Sequence, residues 1–273
     1  MRNLLVLLST VVLAVAGEQG VRAQATKATA AASPLTIGQT FTLASKVLGE
    51  TRRINVYLPP AYADSATIRL PVLYMPDGGI EEDFLHIAGL VQVLTGNGAM
   101  RPFILVGIEN TQRRRDLTGP TTRAEDRKIA PKVGGSAAYR QFIREELMPQ
   151  VRQRYRTTAE TAIVGESLAG LFVVETLLLE PQLFNTYLAF DPSLWWNNGQ
   201  LAKEAATRLK APGRPAVSAY LATSSQGDTT ATRQLVQAAG PRAGHWHYEA
   251  MPQETHATIY HPAALRAFRA VFW

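Results

Sequence analysis

Hydrophobic and polar positions change period in a regular order along the chain. From Phe41 to Leu58 they alternate about the polar stretch "GETRR", as an antiparallel hairpin would, and the prolines of "YLPPAY" end the ladder because proline has no N–H to give. "LPVLYMPDGG" is a short apolar run closed by a turn, which predicts a buried strand. "EEDFLHIAGLVQVLT" takes helical spacing, with acids in its first turn facing the positive end of the helix dipole. "FILVGIE" is a second wholly apolar strand. A polar stretch rich in Arg, Thr and Pro follows, from about Asn110 to Gly135. Loops of that length in a compact domain often serve function.

Beyond it the alternation becomes strict. "SAAYRQFIREELMPQVRQRY" predicts a helix with Ser136 as N-cap. "TAIVG" predicts a strand, "LAGLFVVETLLLE" a helix, "TYLAFD" and "AVSAYLAT" strands, and "TTATRQLVQAAG" a helix ending at Gly240. "HWHYEAMP" alternates like a strand, and "PAALRAFRAVF" closes the chain as a helix opened by proline. A hairpin followed by strand–helix alternation predicts an α/β fold: a mostly parallel twisted sheet with an N-terminal antiparallel hairpin and helices on both faces. Ligand groups in such sheets gather at the C-terminal ends of the strands.

The N-terminus departs from this pattern. "MRN" and the apolar "LLVLLSTVVLAVA" read as a signal peptide over 1–23, cleaved after Ala23, with Ala16 as the alternative site. The apolar run is shorter than the roughly 20 residues a spanning helix needs, so no stable membrane span is expected after cleavage; an uncleaved anchor is the competing reading. Residues 24–40 read as a flexible lead-in and 41–273 as one domain. The expected location is periplasmic or secreted, in a bacterium.

Composition narrows the chemistry. The 273 residues include no cysteine, which excludes disulfides, thiolate nucleophiles and cysteine metal sites. The formal charge of +6 is spread along the chain apart from Arg113, Arg114 and Arg115, and no nucleic-acid motif accompanies it.

One stretch carries candidate chemistry. "AIVGESLAGLF" sets Ser167 between strand-like and helix-like residues. A serine hydroxyl attacks well when a sharp strand-to-helix turn projects it beside a base, and small neighbours relieve the crowding of that turn. The pattern departs from G-x-S-x-G at its fifth place, where Ala169 stands and Gly170 follows. The N–H of Leu168, at the start of a helix, can donate to an oxyanion, and the N–H of Gly79 in "MPDGG" is the expected second donor.

Five histidines are available as base. His86 lies within a predicted helix. His245 and His247 form H-x-H on a strand, facing the same side, with no third metal ligand evident. His261 abuts Pro262 as a cap or packing residue. His256, in the loop after the last strand, is on the edge where Ser167 belongs. The chain order Ser…acid…His then asks for a carboxylate at a strand end. Asp228 holds the conventional position, although it could equally cap the following helix; Asp191 is the alternative, and a Ser–His dyad the third possibility.

Six blocks, "SKVLGETRRINVYLPPAY", "LPVLYMPDGG", "VGIENTQRRRDLT", "GESLAG", "DPSLWWNN" and "ETHATIYHPA", resemble an esterase family of α/β-hydrolases. That family includes siderophore (enterobactin-type) esterases, S-formylglutathione hydrolase, feruloyl esterases and mycolyltransferases. The resemblance runs from about Ser45 to the C-terminus and is nearest the siderophore-esterase-like branch. It implies Ser167 as nucleophile, His256 as base, oxyanion donors at Gly79 and Leu168, and no cofactor. It departs at Ala169 and at Gln226, near where relatives carry glutamate. Arg113 and Arg115 could hold an anionic substrate, or Arg115 could pin its loop through Asp116. Trp195 and Trp196 could wall an acyl or aryl group, or belong to the core.

The expected function is hydrolysis of a small-molecule carboxylic ester through an acyl-enzyme, with a siderophore-type ester among the candidates. Acyl transfer to an alcohol or sugar, and an inactive ligand-binding relative of the fold, are the alternatives. The sequence points to no nucleic-acid partner and leaves protein partners open.

Overall fold

In the computed structural model, residues 32–240 and 245–273 are described. The leader expected over 1–23, and part of the lead-in after it, lie outside the described residues. The described elements are β1 (Gln39–Ser45), β2 (Glu50–Tyr57), α1 (Pro60–Asp64), β3 (Leu70–Pro76), α2 (Phe84–Gly96), β4 (Ile104–Ile108), α3 (Arg113–Asp116) and α4 (Ala124–Arg127). They continue with α5 (Ser136–Phe142), α6 (Met148–Arg154), β5 (Thr157–Glu166), α7 (Ser167–Leu179), β6 (Thr186–Phe190), α8 (Trp196–Leu209), β7 (Ser218–Ser224), α9 (Thr229–Ala239), β8 (Trp246–Met251) and α10 (Tyr260–Val271).

The strands form one sheet in the order β1-β2-β4-β3-β5-β6-β7-β8. β1 pairs antiparallel with β2, and β2 antiparallel with β4; every later pairing is parallel. The continuous apolar runs of β3 to β7 follow from this placement, because a central parallel strand is buried on both faces. Leu70, Val72 and Tyr74 of β3 point into one apolar cluster with α5, α6 and α7, while Leu73 and Met75 point into another with α2 and α10. β4, β5, β6 and β7 split their side chains between the same two clusters. This is the α/β-hydrolase architecture.

Local departures have local causes. The acids Glu81, Glu82 and Asp83 do not occupy the first turn of α2; they form the turn before it, with Asp83 at the N-cap position. Ser136 does not cap α5: Gly135 takes that position, and the Ser136 hydroxyl is buried without a partner. The helix predicted from Ser136 onward passes through one π turn at Ile143–Leu147 before continuing as α6. Pro149 lies in the first turn of α6 and has no N–H for the preceding turn, so the bond pattern shifts there. α8 was not announced by the sequence pattern. It opens with Asn197, Asn198 and Gly199 in left-handed conformation, and its buried residues are Trp196 and Ala205.

The turn after β3 depends on close backbone approach. A Cβ on Gly78 would lie 2.3 Å from Gly107 Cα, in the neighbouring β4. Neither backbone can retreat, since the Gly78 N–H donates to Ile108 O at 3.0 Å and the Asn55 amide donates to Gly78 O at 2.8 Å. Gly78→Ala is expected to cost about 1–3 kcal/mol of stability. The check is a lowered urea midpoint with an unchanged m-value.

Candidate active site

Ser167 stands where β5 meets α7, with φ of 60°. The turn explains the spacing of the small residues. A Cβ on Gly165 would come within 2.6 Å of the Ala169 backbone, and one on Gly170 would meet Phe190 O at 3.0 Å. The crowded places are therefore 165 and 170, where the glycines are, and Ala169 sits fully buried with its methyl accommodated.

The loop after β8 brings an imidazole to this serine. His256 Nε2 lies 3.0 Å from Ser167 Oγ, and His256 Nδ1 lies 3.1 Å from Asp191 Oδ2. The His256 side chain is 45% exposed and the Asp191 side chain 0%, so a buried carboxylate steadies an accessible ring. Asp191 follows β6 with φ of 40°. Its Oδ1 accepts from Ser224 N at 2.6 Å and its Oδ2 from Ser224 Oγ at 2.5 Å. The loop carrying the histidine is tied back to the end of β7. The Gln226 side-chain oxygen accepts from the His256 N–H at 3.0 Å, and Glu254 O accepts from Ser225 N at 3.0 Å.

The conventional acid position is thus not the one that meets the imidazole. Asp228 is the N-cap of α9, where its Oδ1 accepts from Ala231 N at 2.9 Å. The residue before it explains the arrangement: a Cβ on Gly227 would fall 2.1 Å from Asp191 Oδ1, so the "SSQGD" loop closes directly over Asp191.

The expected oxyanion donors differ from one another. Leu168 N–H is in the first turn of α7, among the amides a helix leaves without an intrahelical partner. Gly79 N–H is already donated to Glu82 Oε2 at 2.7 Å. Glu82 turns back over the loop and also takes the Asn110 side-chain amide at 2.9 Å, so Gly79 offers its N–H to an incoming oxygen only if Glu82 yields.

The residues expected to contact substrate divide similarly. Arg113 grips Asp77 with two parallel bonds, Nε to Oδ1 at 2.7 Å and Nη2 to Oδ2 at 2.8 Å, and stays partly exposed. Arg115 is not available for an anion: it is held by Glu50 Oε1 at 2.7 Å and by Asp116 Oδ1 at 2.6 Å, which pins the loop. Burial would push the Glu50 carboxyl up, but Arg115, Thr111 and Arg52 hold it down at about 2. Trp196 is a core residue, buried and donating Nε1–H to Gly119 O at 2.9 Å, whereas Trp195 is exposed. Ser193, two residues before Trp195, donates its N–H to Ser167 O at 3.1 Å.

Acidic groups crowd the serine. Burial, with Asp191, Asp77 and Asp83 adding to it against Arg113, raises the Glu166 carboxyl to about 8. Burial and then Asp77 raise Asp83 to about 6. Glu166 Oε1 lies 3.2 Å from His256 Nε2. Glu166, Ser224, Glu82 and Asn110 were not singled out from the sequence, and Gln226 stood out only as a place where relatives carry glutamate. Of those not singled out, only Glu166 carried a signal, as the residue directly before the serine.

His247 stacks on Tyr220 at 5.9 Å, and His86 meets His261 edge to face at 5.0 Å. Among the described residues no group of three or more His, Asp or Glu is arranged to hold a metal ion, and no helix is long and apolar enough to cross a membrane.

The profile of the family described as "Putative esterase" matches residues 45–264, from β1 into α10. The chain belongs to this esterase family. Among curated relatives of this esterase-family chain, the ferri-bacillibactin esterase BesA of Bacillus subtilis is 30% identical over 57% of the chain and 58% of its own length. The siderophore triacetylfusarinine C esterase of Aspergillus fumigatus is 31% identical over 58% of the chain and 56% of its own length. The chain thus matches somewhat over half the length of these relatives. Among solved structures, an IroE-like serine hydrolase from Shewanella oneidensis is 29% identical with a TM-score of 0.73, over 86% of this chain and 80% of that one.

Separating the two carboxylates makes a direct expectation. Asp228→Ala should lower stability by about 1 kcal/mol through loss of the α9 cap, read from chemical denaturation. It should leave turnover of an activated ester within about twofold, because the Asp228 carboxylate caps α9 while Asp191 is the carboxylate that meets the His256 ring.

Proposed function

We propose that this chain hydrolyses small-molecule carboxylic esters through an acyl-enzyme on Ser167. The observation that carries the reading is the line Ser167 Oγ, His256 Nε2, His256 Nδ1, Asp191 Oδ2, with steps of 3.0 and 3.1 Å across the ring. Ser167 attacks the ester carbonyl as His256 takes its proton. Asp191 keeps the ring's own proton on Nδ1, leaving Nε2 free as base, and balances the imidazolium charge that forms. Leu168 N–H supports the oxyanion, joined by Gly79 N–H when Glu82 withdraws. The proton then passes from Nε2 to the leaving alcohol, and water repeats the sequence to free the acid.

Membership of an esterase family supports this reading, as do relatives named for siderophore esters. We place a siderophore-type ester first among candidate substrates. The exposed Trp195 offers an aromatic face for such a molecule, and Arg113, partly exposed though paired with Asp77, is the nearest candidate cation of the arginine run. The leader expected over 1–23 makes the working location outside the cytoplasm part of the same proposal.

Incubation with a fluorophosphonate is expected to add one phosphonyl mass to the wild type and none to Ser167→Ala. Absence of a mass shift in the wild type would end the acyl-enzyme reading. A panel of aryl and alkyl esters, with ferric and iron-free catecholate trilactones, would rank the substrates.

Asp191→Asn should lower kcat by about 10²- to 10⁴-fold, because an amide leaves the ring in the wrong tautomer and uncompensated when charged. Steady-state kinetics of Asp191→Asn beside Asp228→Asn would check it. A comparable loss in Asp228→Asn would return the acid role to that residue.

A further inference from the structure

His256 Nε2 has two oxygen neighbours: Ser167 Oγ at 3.0 Å and Glu166 Oε1 at 3.2 Å. An imidazole nitrogen carries either a lone pair or a proton, so while Nε2 carries a lone pair it matches only an oxygen that brings a hydrogen. With Nδ1–H directed at Asp191, Nε2 of the neutral ring is an acceptor. The Ser167 hydroxyl suits it as a donor, whereas a carboxyl oxygen that carries no proton does not. Glu166 Oε1 is buried and makes no hydrogen bond of its own. A buried acceptor left unmatched costs free energy, so its retention beside the base calls for a state in which it is matched.

That state arises during the reaction. As the bond from Oγ to the carbonyl carbon forms, the serine proton moves to Nε2, and Nε2 becomes a donor. Its former partner Oγ is then bonded to the acyl carbon and is a poorer acceptor. We infer that Glu166 is a positioning residue whose Oε1 accepts the Nε2–H of the imidazolium, holding the ring in place until the proton passes to the leaving alcohol. Glu166 gains and loses no proton in this sequence; the proton travels from Oγ to Nε2 to the alcohol oxygen. The inference rests on the acyl-enzyme reading above and refines it.

The surroundings set a pH signature. Arg113 from α3, Asp77 and Asp83 from the turn between β3 and α2, Asp191 after β6, Tyr260 of α10 and His256 all act on or beside Glu166. Burial first, then the neighbouring carboxylates, keeps the carboxyl neutral up to about pH 8, with Arg113 opposing them. The neutral form offers Oε1 as acceptor with its proton on Oε2, and the ionised form attracts an imidazolium more strongly.

Kinetics of wild type, Glu166→Gln and Glu166→Ala on one activated ester, from pH 6 to 9, test this. In the wild type kcat is expected to rise several-fold as pH passes through about 8. Glu166→Gln keeps the acceptor and should stay within about threefold of the wild type at pH 7, with the rise gone. Glu166→Ala should lose about tenfold in kcat with KM within twofold, the loss of one charge-assisted bond in the transition state. Equal kcat in all three proteins with one shared pH profile overturns the inference, as does a Gln variant as impaired as the Ala variant. Should Glu166→Ala not fold, Glu166→Leu, which fills the space without an acceptor, takes its place: the same loss in kcat is expected, and a kcat equal to that of Glu166→Gln overturns the inference. Wild type that hydrolyses esters while the Glu166 variants match it sinks this inference alone; wild type that neither hydrolyses esters nor takes up a fluorophosphonate sinks the acyl-enzyme reading and this inference with it.

Discussion

The cleft is organised around one buried carboxylate. Asp191 has no exposed side-chain surface, and a charge in that position is tolerable only when its lone pairs are filled. Ser224 fills two of them with its N–H and its hydroxyl, and the His256 ring meets the carboxylate from the open side. Those contacts join the ends of β6 and β7 to the loop after β8. Three separate pieces of chain are thereby placed within one hydrogen-bond network, and the serine completes it from the end of β5. The left-handed backbone at Asp191, Ser167 and Asp77 lies at the same end of the sheet. Such conformations cost on the order of 1–3 kcal/mol each for residues other than glycine, and surrounding contacts must hold them.

A second network supports the first from the other flank. Asp77 is gripped by Arg113 and receives the Asn110 amide at 2.5 Å, and Glu82 ties Gly79 to Asn110. Behind them, Arg115, Glu50, Asp116 and the fully buried Arg52 fasten the start of the long polar loop to β2. The arginine run at 113–115 is therefore mainly architectural. Of its three members, Arg113 alone sits against the acidic groups of the cleft. A chain with a formal charge of +6 surrounds its serine with carboxylates, and net charge says little about the field a substrate meets there.

The sequence made the scaffold legible because a strand stretch buried on both faces is apolar, and β3, β4, β6, the middle of β7 and the second half of β5 carry such runs. Ser167 was legible for the same reason: a lone serine between an apolar strand and an apolar helix leaves little else for the turn to be. His256 followed from its loop after the last strand. The acid did not follow, because Asp191 and Asp228 both stand just past strand ends, and the choice between them depends on how the "SSQGD" loop folds over its neighbour. Gly227 makes that fold sterically feasible, and its role shows only with Asp191 beneath it. α8 escaped notice because its first residues, two asparagines and a glycine, read as a turn, and few of its side chains enter the core. Gly79 and Arg115 have ordinary sequence contexts. Their N–H and guanidinium groups are claimed by Glu82 and Glu50, partners that local sequence does not reveal.

The steric demand of the turn at Ser167 is carried by Gly165 and Gly170, so residue 169 is released to bear a methyl group. A search that insists on two fixed glycine letters around a serine would discard this chain although its geometry is intact. Whether such a turn can form depends on which backbone atoms a side chain would strike, and not on which letter stands at the fifth place.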